Sequence, residues 1–588
     1  MEKTLRGIGV SPGIAIAPAL VYEVGRFEVP EYRIADTEGE WLRLERAMDT
    51  ARDELVELHR RTAQALGEVH AGIFNAHLML LDDAAVLEEV KAELESKRLN
   101  IECLLARVAR SFQQQMEGIG EARFRERAAD LVDVTDRVLR HLLETNHPDL
   151  GEIKTPCVVV AHDLSPSDTA SMNASSTVGL AVDSGNVTSH TAILARALEI
   201  PAVMGLLDAS NHIQPGTVMV VDGSLGVVIV EPSEETLERY TVARKAYGDE
   251  QARLRDTLGT TPGKTRDGVP IETQANIELP IELAHSRKAG AHGVGLYRTE
   301  YLFLNRGTVP SEDEQFEAYA DAARALNPFP VTLRTMDIGG DKFVGHLNIL
   351  KEDNPQLGWR AVRFCLERPD IFKAQLRAML RATVHGNVQI MFPMISGVQQ
   401  MRDVKAVLAE VMDELKQAGI PFDDKVPVGS MIEVPSAVML TDLLAKECDF
   451  FSIGTNDLIQ YSLAVDRVNE RIAHLYEPAH PAVLRMIDIT ARAAADAGIP
   501  CKLCGEMAGD PFFTEILLGL GVISFSMSTV SLPAVRAAIA RVDLGEARAL
   551  AREVLGLATS TEVRQLLRKR AGSRRSGKME ANGAANGV

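Results

Sequence analysis

The spacing of hydrophobic positions changes several times along this 588-residue chain, and each change predicts a different kind of element. Residues 1 to about 20 alternate apolar with small or polar residues, which is typical of β-strands. Strand-like apolar runs return in "CVVVAHDLSPSD", "TVGLAVDSG" and "GTVMVVDGSLGVVIVEP". We therefore expect one α/β domain assembled from residues 1–33 and 146–232.

The intervening residues 34–145 carry a helical pattern. Long stretches are free of proline, and apolar side chains recur at intervals of three and four residues, which places them on one face of a helix. This pattern predicts a helical bundle inserted into the α/β domain. Its clearest apolar stripe consists of Leu44, Met48, Ala51, Leu55 and Leu58.

The pattern becomes regular in residues 262–567. Eight strand-like runs alternate with mostly helical stretches, and eight such units over about 300 residues predict a (β/α)8 barrel. Residues 233–261 are charged and helix-forming and predict a linker helix, whereas the basic and then Gly/Ala/Asn-rich residues 568–588 predict a disordered tail. The eight runs are "PIETQANIE", "GVGLYRTE", "VTLRTMDIGG", "NVQIMFPM", "VPVGSMIEVP", "CDFFSIGTND", "PCKLCGEM" and "VISFSMS".

Composition narrows the classes of partner. A formal net charge of -19 argues against nucleic acid or an anionic membrane as the main partner, although local arginines still allow a small anionic substrate. No apolar run is long enough to span a bilayer. Six cysteines in so long a chain do not form a disulfide scaffold, so we expect a cytoplasmic protein.

The ends of the predicted barrel strands carry the candidate chemistry, because barrel enzymes catalyse at the C-terminal ends of their strands. Arginine forks bind phosphate and carboxylate, two carboxylates suit Mg²⁺, and a thiol can move a proton. Taken singly, each residue is equally well explained as an ordinary strand-end ion pair. The candidates are Arg298, Arg334, Glu433, Asn456, Asp457 and Cys504 at strand ends, with Arg360 and Arg467 in loops.

Two further features each leave an alternative open. Cys501 and Cys504 form a C-x-x-C pair, which is also compatible with a redox pair or half of a zinc site. His190 precedes apolar residues at helical spacing, so we expect it at a helix N-terminus. The positive end of the helix dipole attracts phosphate and favours a neutral imidazole, which makes His190 a candidate phosphoryl acceptor. The alternative is a histidine that only caps the helix.

Several long motifs resemble those of the phosphoenolpyruvate-utilising enzymes. The segment "GNVTSHTAILARALEIPAVMG" is similar to their phosphohistidine motif. With "GIGVSPGIAIAPA" and the helical insertion, nearly the whole chain resembles the Enzyme I family of bacterial sugar phosphotransferase systems. The matching barrel motifs are "GLYRTEYLF", "RTMDIGGDK", "GWRAVRF", "MIEVPSA", "FSIGTNDLIQY" and "CGEMAGD".

The resemblance implies a reaction. Phosphoenolpyruvate (PEP) bound in the barrel would phosphorylate His190, and the phosphoryl group would pass to a histidine of the carrier protein HPr, docked on the helical insertion. The α/β domain would swivel between the PEP site in the barrel and HPr on the helical insertion. The barrel would form a homodimer. The implied site comprises Arg298, Arg334, Arg360, Asn456 and Arg467 for substrate, Glu433 and Asp457 for Mg²⁺, and Cys504 as the proton donor that yields pyruvate.

Two positions depart from the family pattern. Asn186 stands where the family usually has the second glycine of a pair, and asparagine is the residue that best replaces glycine in a left-handed turn. Val468 follows Arg467 where the family usually has glycine, and a β-branched residue with positive φ would be strained there.

Two other functions remain as alternatives. Pyruvate phosphate dikinase and phosphoenolpyruvate synthase resemble this chain in the histidine and barrel regions, but they need an additional ATP-binding domain, and no glycine-rich nucleotide loop precedes residue 190. A non-catalytic regulatory phosphoprotein is the other alternative, and the intact set of arginines, carboxylates and thiol argues against it.

Overall fold

A computed structural model defines the fold in two compact units, which divide the described residues between Glu250 and Gln251. Each unit has its own sheet and its own buried core. The structure describes residues 2–571 apart from 23–28, 67, 119–121, 144–149, 152, 165–167, 170–171, 173–174, 185–189, 258–262, 279, 281, 304–307, 340–351, 353, 468 and 470.

The first unit is organised around an eight-stranded mixed sheet with the order β1-β8-β7-β3-β4-β5-β6-β2. Strand β3 is central: it pairs in parallel with β4 and antiparallel with β7. Apolar clusters cover both faces of the sheet, which explains why β4 is apolar at every position. The strands are β1 Lys3–Arg6, β2 Ile8–Ser11, β3 Ile14–Tyr22, β4 Cys157–Ala161, β5 Thr177–Val182, β6 Ala202–Met204, β7 Val218–Asp222 and β8 Val227–Val230.

Five long helices are inserted between β3 and β4, as the pattern of residues 34–145 predicts. Leu44, Ala51 and Leu55 are completely buried, and Leu58 packs against the same core, so the predicted stripe is confirmed. Asp83 caps one helix by accepting hydrogen bonds from the backbone N–H groups of Ala85 and Val86. The helices are Thr37–Leu66, Glu68–Leu81, Ala84–Lys97, Ile101–Gly118 and Ala122–Leu142.

Among the described residues, three other helices lie in the first unit or begin in it. The charged segment predicted as a linker forms the helix Glu234–Thr257, most of whose described side chains are exposed. Two shorter helices, His190–Ala197 and Ala209–His212, lie on either side of β6 in the chain.

The second unit is a closed (β/α)8 barrel. Eight parallel strands, β10 to β17, follow one another in order, and pairing of β10 with both β17 and β11 closes the barrel. All eight predicted runs form these strands. A short strand, β9 Gly263–Lys264, adds antiparallel to β10. The barrel strands are Pro270–Ile277, Val294–Tyr297, Val331–Arg334, Val388–Phe392, Val428–Ile432, Phe450–Ile453, Cys501–Leu503 and Ser524–Met527.

Helices connect these strands and cover the barrel. The last of them spans residues 560–571. It therefore includes the first four residues of the segment 568–588, which was predicted as a disordered tail. Within the described residues no helix is long and apolar enough to cross a membrane. The barrel helices are Glu282–Lys288, Glu312–Leu326, Val362–Glu367, Pro369–Ala382, Val398–Gln417, Pro435–Val438, Thr441–Leu444, Thr455–Leu463, Pro481–Ala497, Thr514–Gly519, Leu532–Ile539, Leu544–Leu555 and 560–571, with short 3₁₀ turns at Glu300–Leu302, Pro355–Leu357, Thr383–His385, Ala473–Leu475 and Glu506–Gly509.

Candidate functional site

His190 is the first residue of the helix His190–Ala197, as the sequence predicts. The helix is held in place by its apolar face, where Ala192 and Ala195 are buried, and by a hydrogen bond from Ser11 Oγ to the Ala195 carbonyl oxygen at 3.3 Å. Residues 185–189, which include Asn186, and the side chain of His190 lie outside the described part of the molecule. The role of the imidazole therefore stays a prediction.

The barrel candidates converge at the C-terminal ends of the strands, where Arg334 is the last residue of β12. Its Nη2 donates to Glu300 Oε1 at 2.7 Å, and its Nη1 lies 3.1 Å from Asp337 Oδ2. Burial alone would lower the pKa of Arg334, but the carboxylates of Glu300 and Asp337 outweigh burial and raise it. Arg334 therefore stays charged inside the protein.

Arg360 reaches the same carboxylate from a loop. Its Nε and Nη2 donate to Asp337 Oδ1 at 3.0 and 2.9 Å, and its Nη1 donates to the Tyr461 hydroxyl at 3.2 Å. The side chain is buried. The next residue, Ala361, has a φ of +52°, a strained conformation for a residue with a Cβ, so the backbone is constrained where it presents Arg360.

Arg298 and Arg467 are the less buried arginines of the site. Arg298 follows β11, and its Nη1 pairs with Glu278 while its buried Nε has no hydrogen-bond partner among the described residues. Burial and then the charge of Arg334 lower the pKa of Arg298. Arg467 Nη2 lies 3.9 Å from Asp457 Oδ1, and Val468, whose effect on Arg467 was in question, lies outside the described residues.

Glu433 and Asp457 each have a buried carboxylate oxygen that accepts no hydrogen bond in the described part of the barrel. Glu433 follows β14, and its Oε1 accepts a hydrogen bond from the Met394 backbone N–H at 2.6 Å, whereas Oε2 is buried without a partner. Asp457 Oδ1 is also buried without a hydrogen bond. Burial and then the charge of Asp457 raise the pKa of Glu433 well above its usual range. The two carboxylates therefore repel each other inside the barrel.

The backbone around Glu433 is shaped for close approach. Met394 has a φ of +57°, which is strained for a non-glycine residue and directs its N–H to the carboxylate. Gly454 packs so tightly on the other side that a Cβ there would lie 2.7 Å from Glu433 Oε2. Glu433 is therefore fixed by backbone on two sides, which suits a carboxylate that must hold a defined position.

Asn456 and Glu506 link two strand-end segments. The Asn456 side-chain oxygen accepts a hydrogen bond from the Glu506 N–H at 2.9 Å, and the Asn456 backbone carbonyl accepts one from the Tyr476 hydroxyl at 3.3 Å. These contacts orient the Asn456 side chain at the end of β15. Its amide nitrogen lies 3.5 Å from Glu506 Oε1.

Cys504 follows β16 and packs inside the barrel against Met391, Met431 and Phe450. Its Sγ lies 3.6 Å from the Ile453 carbonyl oxygen. Burial and the charge of Glu433 raise the pKa of Cys504 to about 11, against the opposing effect of Ser452, Arg334 and Arg298. At neutral pH the thiol therefore carries its proton.

The C-x-x-C alternative finds no support in the described residues. Cys501 and Cys504 are both free and buried, and burial raises the pKa of Cys501 to about 12. Residues three apart on a strand point to opposite faces, so the two thiols are not presented to one ligand. Across the described chain, no group of three or more His, Cys, Asp or Glu side chains could hold a metal ion by itself.

The carboxylates that orient the arginines were not predicted from the sequence. Glu300 accepts from Arg334 and from the Asp337 N–H at 2.9 Å, and Asp337 holds both Arg334 and Arg360. Glu300 and Asp337 are both buried. The available signal was their position: each acidic residue stands two or three places after a strand-end arginine, in "RTE" and "RTMD".

Comparison with known proteins places these motifs in one family. Three family models match in order: PEP-utilising enzyme, N-terminal, at residues 6–127; its mobile domain at 153–226; and its PEP-binding domain at 252–544. A solution structure of an Enzyme I protein (nEIt) is 35% identical, covers 42% of this chain and 99% of its own, and has a TM-score of 0.37.

Two full-length relatives extend the match over nearly the whole chain. The phosphoenolpyruvate-protein phosphotransferase of Geobacillus stearothermophilus is 44% identical over 562 residues, which are 96% of this chain and 97% of its own. That of Bacillus subtilis (strain 168) is 43% identical over 559 residues, 95% of this chain and 98% of its own. The chain therefore belongs to the phosphoenolpyruvate-protein phosphotransferase family of PEP-utilising enzymes.

Proposed function

We propose that the protein transfers the phosphoryl group of PEP to His190 and then to a histidine of the carrier HPr, releasing pyruvate as the first step of sugar uptake by a phosphotransferase system. Near-full-length relatives carrying the name of this activity support the proposal. The observation that carries it is the juxtaposition, at one end of the barrel, of fixed arginines, two buried carboxylate oxygens without hydrogen bonds and a buried thiol.

The arginines are the substrate-binding part of the proposal. PEP carries a phosphate and a carboxylate, and guanidinium groups bind both as paired hydrogen-bond donors. Arg334 and Arg360 are pre-oriented by Asp337, so little conformational freedom is lost when they meet substrate. Arg298, Arg467 and Asn456 complete the proposed pocket, and the unpartnered Arg298 Nε supports a role in binding an anion.

Glu433 and Asp457 are the proposed ligands of Mg²⁺. A hard cation held by two carboxylates and completed by substrate oxygens and water matches a site whose two buried carboxylate oxygens accept no hydrogen bond from the described residues. Such an ion would neutralise negative charge on the phosphate of PEP. It would also neutralise charge on the enolate that remains after the phosphoryl group has left.

Cys504 is the proposed general acid. Loss of the phosphoryl group leaves the enolate of pyruvate, which needs a proton at C3. The raised pKa of Cys504 keeps the thiol protonated at neutral pH, so the proton is present when the enolate forms. The arrangement fits proton transfer from sulfur to carbon.

His190 is the proposed phosphoryl acceptor. Its position at the start of a helix supports this role, because the helix N-terminus favours both a neutral imidazole and an arriving phosphate. The inserted helices 34–145 are the proposed docking region for HPr, and the barrel is the proposed dimerisation unit, both by membership of the family.

Labelled PEP tests the proposal directly. With Mg²⁺, we expect one acid-labile phosphate on the full-length protein, mapped to His190, and its transfer to added HPr. His190→Ala should abolish both, whereas the matched variant His212→Ala, which changes an exposed histidine of the same α/β domain, should keep both. A protein that stays unlabelled, or labelling that persists in His190→Ala, would contradict the proposal.

A further inference from the structure

Lys502 is a buried cation inside the barrel. The residue is only 4% exposed, and its Nζ donates to Gln389 Oε1 at 2.6 Å and to Thr332 Oγ1 at 3.2 Å. These partners belong to β13 and β12, on the far side of the closed barrel from β16, which carries Lys502. The side chain therefore crosses the barrel interior.

The immediate partners of the ammonium group are neutral. Besides the amide and the hydroxyl, Nζ lies 4.9 Å from the centre of the Phe450 ring. Among the described residues no carboxylate lies within 4.0 Å of Nζ. A buried charge without a counter-ion costs stability, so an apolar residue of similar size would suit a purely structural position better.

Lys502 and Cys504 occupy successive interior positions of the same strand end. Side chains two residues apart point to the same face and are separated by roughly 7 Å along the strand. Phe450 links the two positions, since it belongs to the same apolar cluster as Cys504 and its ring centre lies 4.9 Å from the Lys502 ammonium group. The proton of the thiol and the charge of the lysine therefore share one low-dielectric space.

The other cations near Cys504 are already committed. Arg334 and Arg360 pair with Glu300 and Asp337, and Arg298 pairs with Glu278. In the proposed reaction these arginines also face the negative charges of PEP. Of these described cations, Lys502 is thus the one with no carboxylate within 4.0 Å of its charged group.

We propose that Lys502 is a positioning residue whose ammonium group is the internal counter-ion of the Cys504 thiolate. This inference rests on the proposed function. In the step concerned, the S–H bond of Cys504 breaks, its proton forms the new C–H bond at C3 of the enolate, and the electron pair stays on sulfur. Lys502 stabilises the resulting thiolate and leaves phosphoryl transfer to His190 untouched.

The titration of Lys502 agrees with this geometry. Burial lowers the pKa of Lys502 to about 8, with Glu272 and Cys504 opposing the decrease. Two ionisable groups of the surrounding strands act on Lys502, namely Glu272 on β10 and Cys504. The other neighbouring strands contribute uncharged residues: Thr332 on β12, Gln389 on β13, Phe450 on β15 and Ser524, which pairs with Lys502 from β17. The counter-ion is therefore lost above about pH 8.

The test separates the two chemical steps in the full-length protein. Rapid quenching after addition of labelled PEP and Mg²⁺ measures phosphorylation of His190, and absorbance of enolpyruvate measures protonation at C3. In Lys502→Met we expect normal phosphorylation, protonation slowed at least about tenfold, and a larger solvent deuterium isotope effect. Lys502→Arg, which keeps the cation, should restore protonation.

Folding and pH provide the remaining controls. Lys502→Met should melt at a temperature equal to or above that of the wild type. If Lys502→Met fails to fold, the comparison of wild type with Lys502→Arg still tests the inference. The rate of protonation at C3 should then decline above pH 8 in the wild type and not in Lys502→Arg. Equal protonation rates in wild type and Lys502→Met, or equal slowing of both steps, would overturn the inference, as would identical pH profiles of the wild type and Lys502→Arg. A wild type that never phosphorylates His190 would instead refute the proposed function, and this inference with it.

Discussion

Asp337 holds Arg360 through one carboxylate oxygen, which accepts from Nε at 3.0 Å and from Nη2 at 2.9 Å. Its other oxygen lies 3.1 Å from Nη1 of Arg334. One buried carboxylate therefore fixes two guanidinium groups, one from a strand end and one from a loop. Because a guanidinium is planar and rigid, holding two of its nitrogens sets the direction of the third.

Asp337→Asn tests this orientation. The amide keeps the shape but loses the charge that two arginines share, so Arg360 loses the carboxylate that holds two of its nitrogens, whereas Arg334 is still held by Glu300. We expect the KM for PEP to rise about tenfold or more, in line with loss of a charge-assisted contact of roughly 1.5–3 kcal/mol. Steady-state kinetics measure the change.

A matched control uses Asp321, whose carboxylate pairs with Arg324 on the barrel surface and is 69% exposed. Asp321→Asn should leave the KM unchanged because exposed ion pairs contribute little. An unaltered KM in Asp337→Asn would show that Arg334 and Arg360 keep their directions without this carboxylate.

The residues at the strand ends were predictable, whereas their partners were not. An apolar run fixes where a barrel strand ends, and the next polar residue then lies at the mouth, which is how Arg334, Glu433 and Cys504 were found. Which carboxylate faces which arginine depends on how strands of different length stagger around the barrel. Glu300 and Asp337 therefore emerged only from the structure.

Element length set a second limit on prediction. The barrel strands are four or more residues long except β16, and each gave a recognisable run. Strand β6, with only Ala202, Val203 and Met204, is too short for an alternating pattern to distinguish it from a helix end. It is defined by pairing with β5 and β2, which are distant contacts that local sequence does not encode.

Glu433→Gln probes the proposed metal ligand. The amide can still accept the Met394 N–H, but it supplies no charge to a cation, so we expect the Mg²⁺ concentration needed for half-maximal His190 phosphorylation to rise at least about tenfold. A magnesium titration at saturating PEP measures this shift. Asp449→Asn is the control, because among the described residues this carboxylate accepts one hydrogen bond, from the Val428 N–H. An unchanged magnesium requirement in Glu433→Gln would contradict the assignment.

Cys504→Ala and Cys501→Ala distinguish a general acid from a cysteine pair. Removing the Cys504 thiol should block enzymatic protonation of the enolate while PEP and Mg²⁺ still bind, because the arginines and carboxylates remain. Cys501→Ala should keep pyruvate formation, since that side chain faces away from the barrel interior. Pyruvate assays and PEP binding by calorimetry provide the measurements. Equal losses in both variants would favour the pair.

The buried charge of Lys502 predicts how stability depends on pH. The unfolded chain holds the lysine proton more tightly than the folded chain, because burial lowers the pKa of Lys502 from 10.5 to about 8. Below pH 8 the shift therefore destabilises the fold, and the destabilisation disappears as pH rises towards 10.5. Lys502→Met removes this dependence.

Urea unfolding at several pH values measures the effect. The stability advantage of Lys502→Met over the wild type should be largest below pH 8 and should shrink by up to about 3 kcal/mol by pH 10.5. The chain has two tryptophans, Trp41 in the inserted helices and Trp359 in the barrel, so a Trp41→Phe background makes fluorescence report on the barrel. A difference that does not vary with pH would show that the folded and unfolded chains hold the lysine proton equally tightly, so that burial does not lower the pKa of Lys502.

The distribution of candidate residues between the two units leads to the last prediction. His190 belongs to the unit that ends at Glu250, and every barrel candidate belongs to the other. A phosphoryl acceptor must come within about 3.5 Å of its donor, so a histidine that serves both PEP and HPr must move between two sites. Cutting the chain after residue 258 should separate these two activities.

The fragment 1–258 contains a complete sheet, its apolar clusters and the inserted helices, so we expect it to fold, as circular dichroism would verify. It should exchange phosphate with phosphorylated HPr through His190 and stay inert towards PEP, since it lacks the arginines, the proposed metal ligands and Cys504. Labelled HPr and labelled PEP, offered separately, measure the two transfers, and His190→Ala in the same fragment is the control. If the folded fragment accepted phosphate from PEP, the barrel would not be the donor site, and phosphoryl transfer would need only the first unit.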